Sequence, residues 1–381
     1  MPDLRLGVLG GGQLALMLAQ AASSLGVSVR TFDESSEAPA ARITDHRVGR
    51  FDDHEAVARF AEGCDAVTCE FENVPASTLE AAARHAPVRP NPTAFAIAQD
   101  RALERGLFAS LGIPTPTWVA VASPEDLDRA IEAVGFPMIL KTRRMGYDGK
   151  GQCVVRSPEE TRTQGAALLD SAPGGLIADR MATLHSEVSV IAARSADGQV
   201  AKYPLCQNVH RHGILWRTHA PAPIGEDAPE IVENARAAAL RVLHAIDYVG
   251  VMAIEFFVEG ENGAPLCLLA NETAPRVHNT GHWTIEGAST SQFENHVRAV
   301  LGLPLGSTAM TTPEAIASMY NIVGRVPDRG SLLEVPGARV HLYGKPPRRA
   351  RKLGHVTLVG TDARELSRRE KIVEELCAWE V

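Results

Sequence analysis

The stretch AIEFFVEGENGAPLCLLANE, residues 253 to 272, decides how this chain is read. Two apolar runs of strand character flank a segment containing Asn262-Gly263, a dipeptide suited to reversing the chain between antiparallel strands. If the loop takes the six residues 261 to 266, Gly260 faces Cys267, and the same register carried outward sets Glu255 directly opposite Glu272. Like charges directly opposite one another destabilise a sheet. A chain that places two carboxylates there has a use for a cation between them, and oxygen ligands completed by phosphate oxygens suit Mg2+. A register slip of one residue, or a glutamate turned to solvent, would instead leave an ordinary hairpin.

Upstream, the strand-like FPMILK ends in Lys141 and runs into TRRMGYDGKGQ, residues 142 to 152. Gly146, Gly149 and Gly151 argue against helix or central strand there, so the segment reads as a loop at a strand end. Backbone N–H groups unshielded by side chains wrap a polyphosphate, and Lys141 adds positive charge beside them. The chain contains no G-x-x-x-x-G-K-[ST], so this is not a Walker A loop. An ordinary turn has the same composition. A phosphate cradle, a cation and a facing carboxylate pair are, however, the parts that phosphoryl transfer requires together.

The N-terminal LGVLGGGQLALMLAQ, residues 6 to 20, holds Gly10, Gly12 and Ala15 as G-x-G-x-x-A between an apolar run and an alanine-rich helical pattern. Asp33 follows the run VSVRTF, where a dinucleotide site would carry its ribose carboxylate. Taken alone, these residues admit a nicotinamide-dependent dehydrogenase. From residue 1 to about 90, the runs LRLGVLG, VSVRTF and AVTCEF alternate with helical segments, the pattern of a parallel sheet covered by helices. The prolines of VRPNPTAF close that unit, and a helix is expected from about 96 to 112, ending near Gly112 with Pro114 and Pro116 beyond. Past 305 the apolar runs are irregular, and a smaller C-terminal unit is expected, with strands ARVHLYG and HVTLVG around a basic connection.

Composition narrows the class. The 381 residues suffice for two or three domains, and a net charge of -8 argues against general affinity for nucleic acid. No apolar stretch is long enough to span a membrane, and the N-terminus lacks the pattern of a secretory signal, so a cytoplasmic location is expected. The six cysteines, at 64, 69, 153, 206, 267 and 377, form no C-x-x-C pair and read as reduced thiols, mostly buried. His278 and His282 have an i, i+4 spacing that would serve a metal only on a helix, and Pro275, Asn279 and Gly281 favour a loop. Cys206, His210, His212 and His219 lack any standard metal-site spacing. KPPRRARK, residues 345 to 352, carries five cations in eight residues; on an acidic chain it suits one small phosphate better than a nucleic acid.

Seven segments in order, GGGQL, FENVPA, KTRRMGYDGKGQ, SEVSV, YPLCQNVHRHGIL, NETAPRVHNTGHWT and YGKPPRRARKLGH, make the chain resemble the ATP-grasp enzymes. Among these it is most similar to the 5-(carboxyamino)imidazole ribonucleotide synthase family of purine biosynthesis. The resemblance implies an α/β, three-domain ATP-grasp architecture with a Rossmann-like domain at 1–95, an ATP-grasp domain at 96–305 (small lobe about 115–185) and a C-terminal domain at 306–381. It implies a homodimer that carboxylates 5-aminoimidazole ribonucleotide with bicarbonate and Mg-ATP through carboxyphosphate. Arg101 and Lys141 would meet ATP phosphates under a flap of Gly146, Tyr147, Asp148, Gly149, Lys150, Gly151 and Gln152. Asp179 would stand at the adenine hinge, Glu187 at the ATP ribose, His210 and Asn271 elsewhere in the nucleotide site, and Glu255 and Glu272 on magnesium. Gly12, Gln13, Glu72, Asn73, Lys345 and Arg351 would hold the ribonucleotide, with Arg276, Asn279, Tyr147 and Asp148 at the reacting carboxylate. The glycine turn would then serve a phosphorylated sugar, and Asp33 would be only a strand-end residue. The chain departs from the family's usual pattern at Thr280 for serine, Asp179 for glutamate, Arg105 for lysine and Ala350 for glycine. Rivals to this reading are another ATP-grasp ligase with a different acceptor, the dehydrogenase, and a nucleotide sensor without turnover.

Overall fold

Four short strands near the N-terminus, β1 (Arg5–Leu9), β2 (Ser28–Asp33), β3 (Asp45–Val48) and β4 (Ala66–Cys69), form a parallel sheet in the order β3-β2-β1-β4. The computed structural model of the protein describes residues 4–146, 151–260 and 265–378. β1 and β4 read as continuous apolar runs because helices cover the parallel sheet. The sequence pattern misses β3: its residues DHRV form an exposed edge with neither an apolar run nor alternation. Helix Gln13–Ser24 starts directly after the glycine turn. Its apolar face shares one core with Val297 and Phe293 of helix Gln292–Leu301 and with Ile191 and Met319 of the central sheet, fixing the N-terminal unit against the rest.

The helix expected over 96–112 is two helices, Pro92–Ala98 and Arg101–Ser110. Asp100 divides them: its carboxylate accepts from Ala102 N at 3.0 Å, capping the second helix. The same carboxylate takes two bonds from Arg143, at 3.0 and 2.7 Å, and ties this cap to the glycine-rich loop's first residues. A small antiparallel sheet follows, ordered β5-β8-β6-β7, from β5 (Trp118–Val121), β6 (Met138–Thr142), β7 (Gln152–Val155) and β8 (Leu176–Arg180).

The remaining strands are β9 (Leu184–Arg194), β10 (Val200–Lys202), β11 (Cys206–Arg211), β12 (Ile214–Ala220), β13 (Gly250–Glu259), β14 (Cys267–Ala274), β15 (Ile316–Val323), β16 (Arg339–Leu342) and β17 (Lys352–Gly360). They make one antiparallel sheet, β14-β13-β9-β11-β12-β15-β17-β16, with β10 paired to β9. The C-terminal strands therefore extend the central sheet through β12 and β15 rather than forming a sheet of their own. Among the described residues, no helix is long and apolar enough to cross a membrane.

The hairpin at the sheet's edge pairs Glu255 with Glu272, the expected pair, but by a different path. Glu259, not Gly260, faces Cys267, so the connection is the seven residues 260 to 266, one longer than expected. Gly260 has φ of +152°, and a Cβ there would lie 2.8 Å from Leu266, which keeps it in the loop. Asn271 then stands as an extra residue between the Phe256–Ala270 and Glu255–Glu272 pairs, a β-bulge that restores the offset. Asn262 and Gly263 lie outside the described residues.

Candidate functional site

Lys141 is the last residue but one of β6, its ammonium buried, and Asp179 on β8 receives it at 2.9 Å. The neighbouring strands carry Asp179 opposite Ile139, one pair away from the Leu140–Ala178 pair, which brings the two charges together. Arg105 donates to the same Asp179 oxygen at 3.0 Å and to the carbonyls of Ala270 and Asn271 at 3.0 and 2.7 Å. A buried guanidinium needs such partners. Here they join the small sheet to the bulge beside Glu272. Asp179, expected at the adenine hinge, thus turns its carboxylate inward to position Lys141, and Arg105 is a contributor that sequence reasoning noted only as a departure. Burial pushes the Lys141 ammonium below its ordinary pKa despite Asp179.

Glu255 and Glu272 face each other across the hairpin with different neighbours. Burial, then the charge of Glu272, pushes the Glu255 carboxyl up. Burial acts the same way on Glu272, but Arg101, at 2.9 Å, together with Lys141 and Arg105, outweighs it and holds that carboxyl low. His278 Nε2 stands 3.7 Å from Glu255, and burial keeps this imidazole neutral by lowering its pKa well below the ordinary value. Two hard oxygen donors so placed, with unbalanced negative charge, fit a divalent cation whose shell phosphate oxygens complete. On the adjacent strands Glu187 (β9) bonds His210 Nδ1 (β11). Burial opposes protonation of His210, but Glu187 and Glu255 raise its pKa overall.

Beside this cluster opens a cleft of about 980 Å³. It brings together Gly12, Gln13, Glu72 and Asn73 from the N-terminal unit, Arg101, Gly146, Glu272, Arg276 and Asn279 from the middle, and Lys345 and Arg351 from the C-terminal loop. Lys141, Asp179, Glu187, His210, Glu255 and Asn271 do not line it, and neither do Gly151 and Gln152 on the approach to β7. Arg276 donates to Glu72 at 2.6 Å, while Asn279 and Asn321 exchange amide bonds at 3.1 and 2.8 Å. Lys345 Nζ donates to Gln13 Oε1, joining chain segments more than three hundred residues apart. His278, Arg143 and Arg348 also line the cleft without having been singled out for it. The last was concealed in a run whose other cations looked equivalent. Tyr147, Asp148, Gly149 and Lys150 lie outside the described residues.

The glycine turn is occupied by the protein itself. Gly11 N donates to Asp33 Oδ2 at 2.7 Å, and Gly12 N to Glu70 Oε1 at 2.8 Å. Asp33 is therefore more than a strand-end residue, and Glu70, just past β4, was not anticipated. A Cβ at Gly10 would lie 2.7 Å from Glu70 Cγ, and one at Gly12 2.7 Å from Glu70 Oε1. The glycines make room for a carboxylate of this chain.

Residues 4–99 match the ribonucleotide synthetase preATP-grasp domain, 106–293 the ATP-grasp domain, and 317–369 the phosphoribosylaminoimidazole carboxylase C-terminal domain. The chain is 45% identical to N5-carboxyaminoimidazole ribonucleotide synthase of Pseudomonas aeruginosa, covering 98% of this chain and 99% of that one. The crystal structure of the Thermus thermophilus synthetase aligns with a TM-score of 0.91 at 46% identity, over 98% of this chain and 100% of the other. The Aspergillus clavatus synthase, solved in complex with ADP and 5-aminoimidazole ribonucleotide, aligns with a TM-score of 0.89 at 30% identity, over 98% of both chains.

Proposed function

The chain belongs to the N5-carboxyaminoimidazole ribonucleotide synthase family of ATP-grasp enzymes, and from that premise we propose how its residues divide the reaction between two adjoining sites. It is an ATP-dependent synthase that makes N5-carboxyaminoimidazole ribonucleotide from 5-aminoimidazole ribonucleotide in purine biosynthesis. The single observation that carries the division is Glu272, which faces Glu255 on one side and lines the cleft on the other.

In this reading ATP lies between the small sheet and the hairpin, with Lys141 and Arg101 toward its phosphates and Glu187 and His210 beyond them. Glu255 and Glu272 would hold Mg2+, which when bound supplies positive charge to the transferring phosphoryl group. Bicarbonate accepts that group, giving carboxyphosphate. Arg276 lies beside the acyl group, where its remaining N–H donors stabilise the developing anion. The ribonucleotide occupies the cleft with its phosphate at Lys345 and Arg351, and its amine takes the carboxyl group as phosphate leaves. The flap from Gly146 to Gln152 keeps water from this intermediate. The three units divide near residues 95 and 305, and the protein works in the cytoplasm as a homodimer.

The test is ADP release from Mg-ATP with and without 5-aminoimidazole ribonucleotide, in buffer stripped of or supplied with bicarbonate. Turnover that needs both, with carboxylated product, is expected. ATP hydrolysis indifferent to bicarbonate would remove carboxyphosphate from the scheme.

A further inference from the structure

In a dinucleotide-binding turn, a pyrophosphate takes the free N–H groups at the start of the first helix. Here those at Gly11 and Gly12 point at Asp33, the last residue of β2, and Glu70, just past β4, the two strands that flank β1. Glu70 is held on three sides: its own N–H bonds Leu9 O at 2.9 Å, its side chain fills the space above Gly10 and Gly12, and it is 8% exposed. Asp33 is anchored similarly, its second oxygen accepting from Ser35 N at 2.8 Å. Glu34 and Glu72 line the cleft together with Lys345, Arg348 and Arg351 of the C-terminal loop, and Lys345 reaches the first turn of the helix, where it bonds Gln13.

We propose that Glu70, supported by Asp33, is a specificity-determining residue: it stands in for a phosphate at the glycine turn and makes that turn refuse nucleotide phosphates. Two effects act together. The N–H donors are spent on internal carboxylates, and an incoming phosphate meets like charge, which costs far more than a missing contact. A phosphorylated ribose in the cleft is thereby oriented with its phosphate on the cations of the basic loop rather than on the N–H groups of the turn. This orientation rests on the reading that the cleft takes the ribonucleotide; the refusal of phosphate does not.

The experiment titrates inorganic pyrophosphate calorimetrically into the full-length protein with the nucleotide site filled by ADP. Wild type is expected to bind pyrophosphate only weakly, through the cations of the basic loop. Glu70→Ala, which clears both charge and volume, is expected to bind pyrophosphate at least about tenfold more tightly. Its ADP affinity reports that the fold is intact. Should Glu70→Ala not fold, Glu70→Gln keeps the bond to Gly12 while removing the charge, and a gain of about threefold is expected. Variants that bind ADP normally but pyrophosphate no better than wild type overturn the proposal. If 5-aminoimidazole ribonucleotide fails to stimulate ADP release from wild type, the assignment of the cleft falls, and the pyrophosphate titration still decides the role of Glu70.

Discussion

Two sets of acidic side chains sit some way apart in this molecule and have opposite surroundings. Asp33 and Glu70, at the N-terminal sheet, each accept a backbone N–H of the glycine turn. Glu255 and Glu272, on the hairpin, face each other, with Arg101 leading the cations gathered on the side of Glu272, while burial and Glu272 act against the charge of Glu255. The first set is satisfied internally and forms a wall. The second is left with charge to spare and forms a socket. The same residue types thus fill one turn suited to an anion and, on the proposed reading, leave a place for a cation, and the difference lies in what the neighbouring backbone offers.

The sharpest way to break this contrast is to neutralise one member of each set. Glu272→Gln should lower turnover on the order of 1000-fold at saturating ATP, since on the proposed reading it removes a metal donor beside the transferring group. Asp33→Asn retains an acceptor for Gly11 and should cost less than about tenfold. Equal losses in steady-state ADP release would mean that the two sets do the same work. Next in size, Gly10→Ala forces a Cβ against Glu70 at a φ of +100° and should destabilise the fold by about 1–3 kcal/mol in urea titration. Stability equal to wild type would show that Glu70 is not held where the wall requires it.

The socket also has a pH signature. Arg101 leads Lys141 and Arg105 in keeping Glu272 ionised against the effect of burial, so Arg101→Ala lets that carboxyl rise, and more of it is protonated at a given acidic pH. The acid limb of kcat/KM for ATP should move up by about one pH unit. An unmoved limb would assign it to another group. The smallest effect is on stability. Glu255 is pushed up from 4.5 to about 7 by burial first and Glu272 second, so its contribution is present below the ordinary value and is lost as pH rises toward 7. Metal-free wild type should therefore lose Tm relative to Glu255→Gln by a few degrees between pH 5 and 8, followed by thermal melts. Parallel melting curves would remove the repulsion on which the socket rests.

Much of the hairpin was legible in the sequence, though partly through compensating offsets. The loop was read one residue short and the bulge at Asn271 was not foreseen, and these cancel at Glu255 and Glu272. Bulges leave no trace in apolar alternation when, as in LCLLANE, the strand is apolar on both faces. The break at Asp100 was available as a capping residue before Arg101 but was overrun by the apolar pattern continuing on both sides. Glu70 was out of reach for another reason. Its bond to Gly12 depends on β4 lying beside β1, a neighbour relation that spans 58 residues and has no local signal. The resemblance supplied the residues around the cleft, but Arg105 entered only as an exception, because its partners come from two other strands.

The joining of β15 to β12 also bears on how the chain is made. During synthesis the strand ILWRTHA, residues 214 to 220, is complete well before its neighbour at 316 to 323 exists. At about 5–20 residues per second, its outer edge waits roughly 5–20 s on the ribosome without a partner. An open strand edge invites pairing with other nascent chains, and a charged side chain such as Arg217 in its middle is the usual protection. The basic loop that completes the cleft is translated after β15, so the newborn chain lacks that wall of the cleft until residues 345 to 351 have been made.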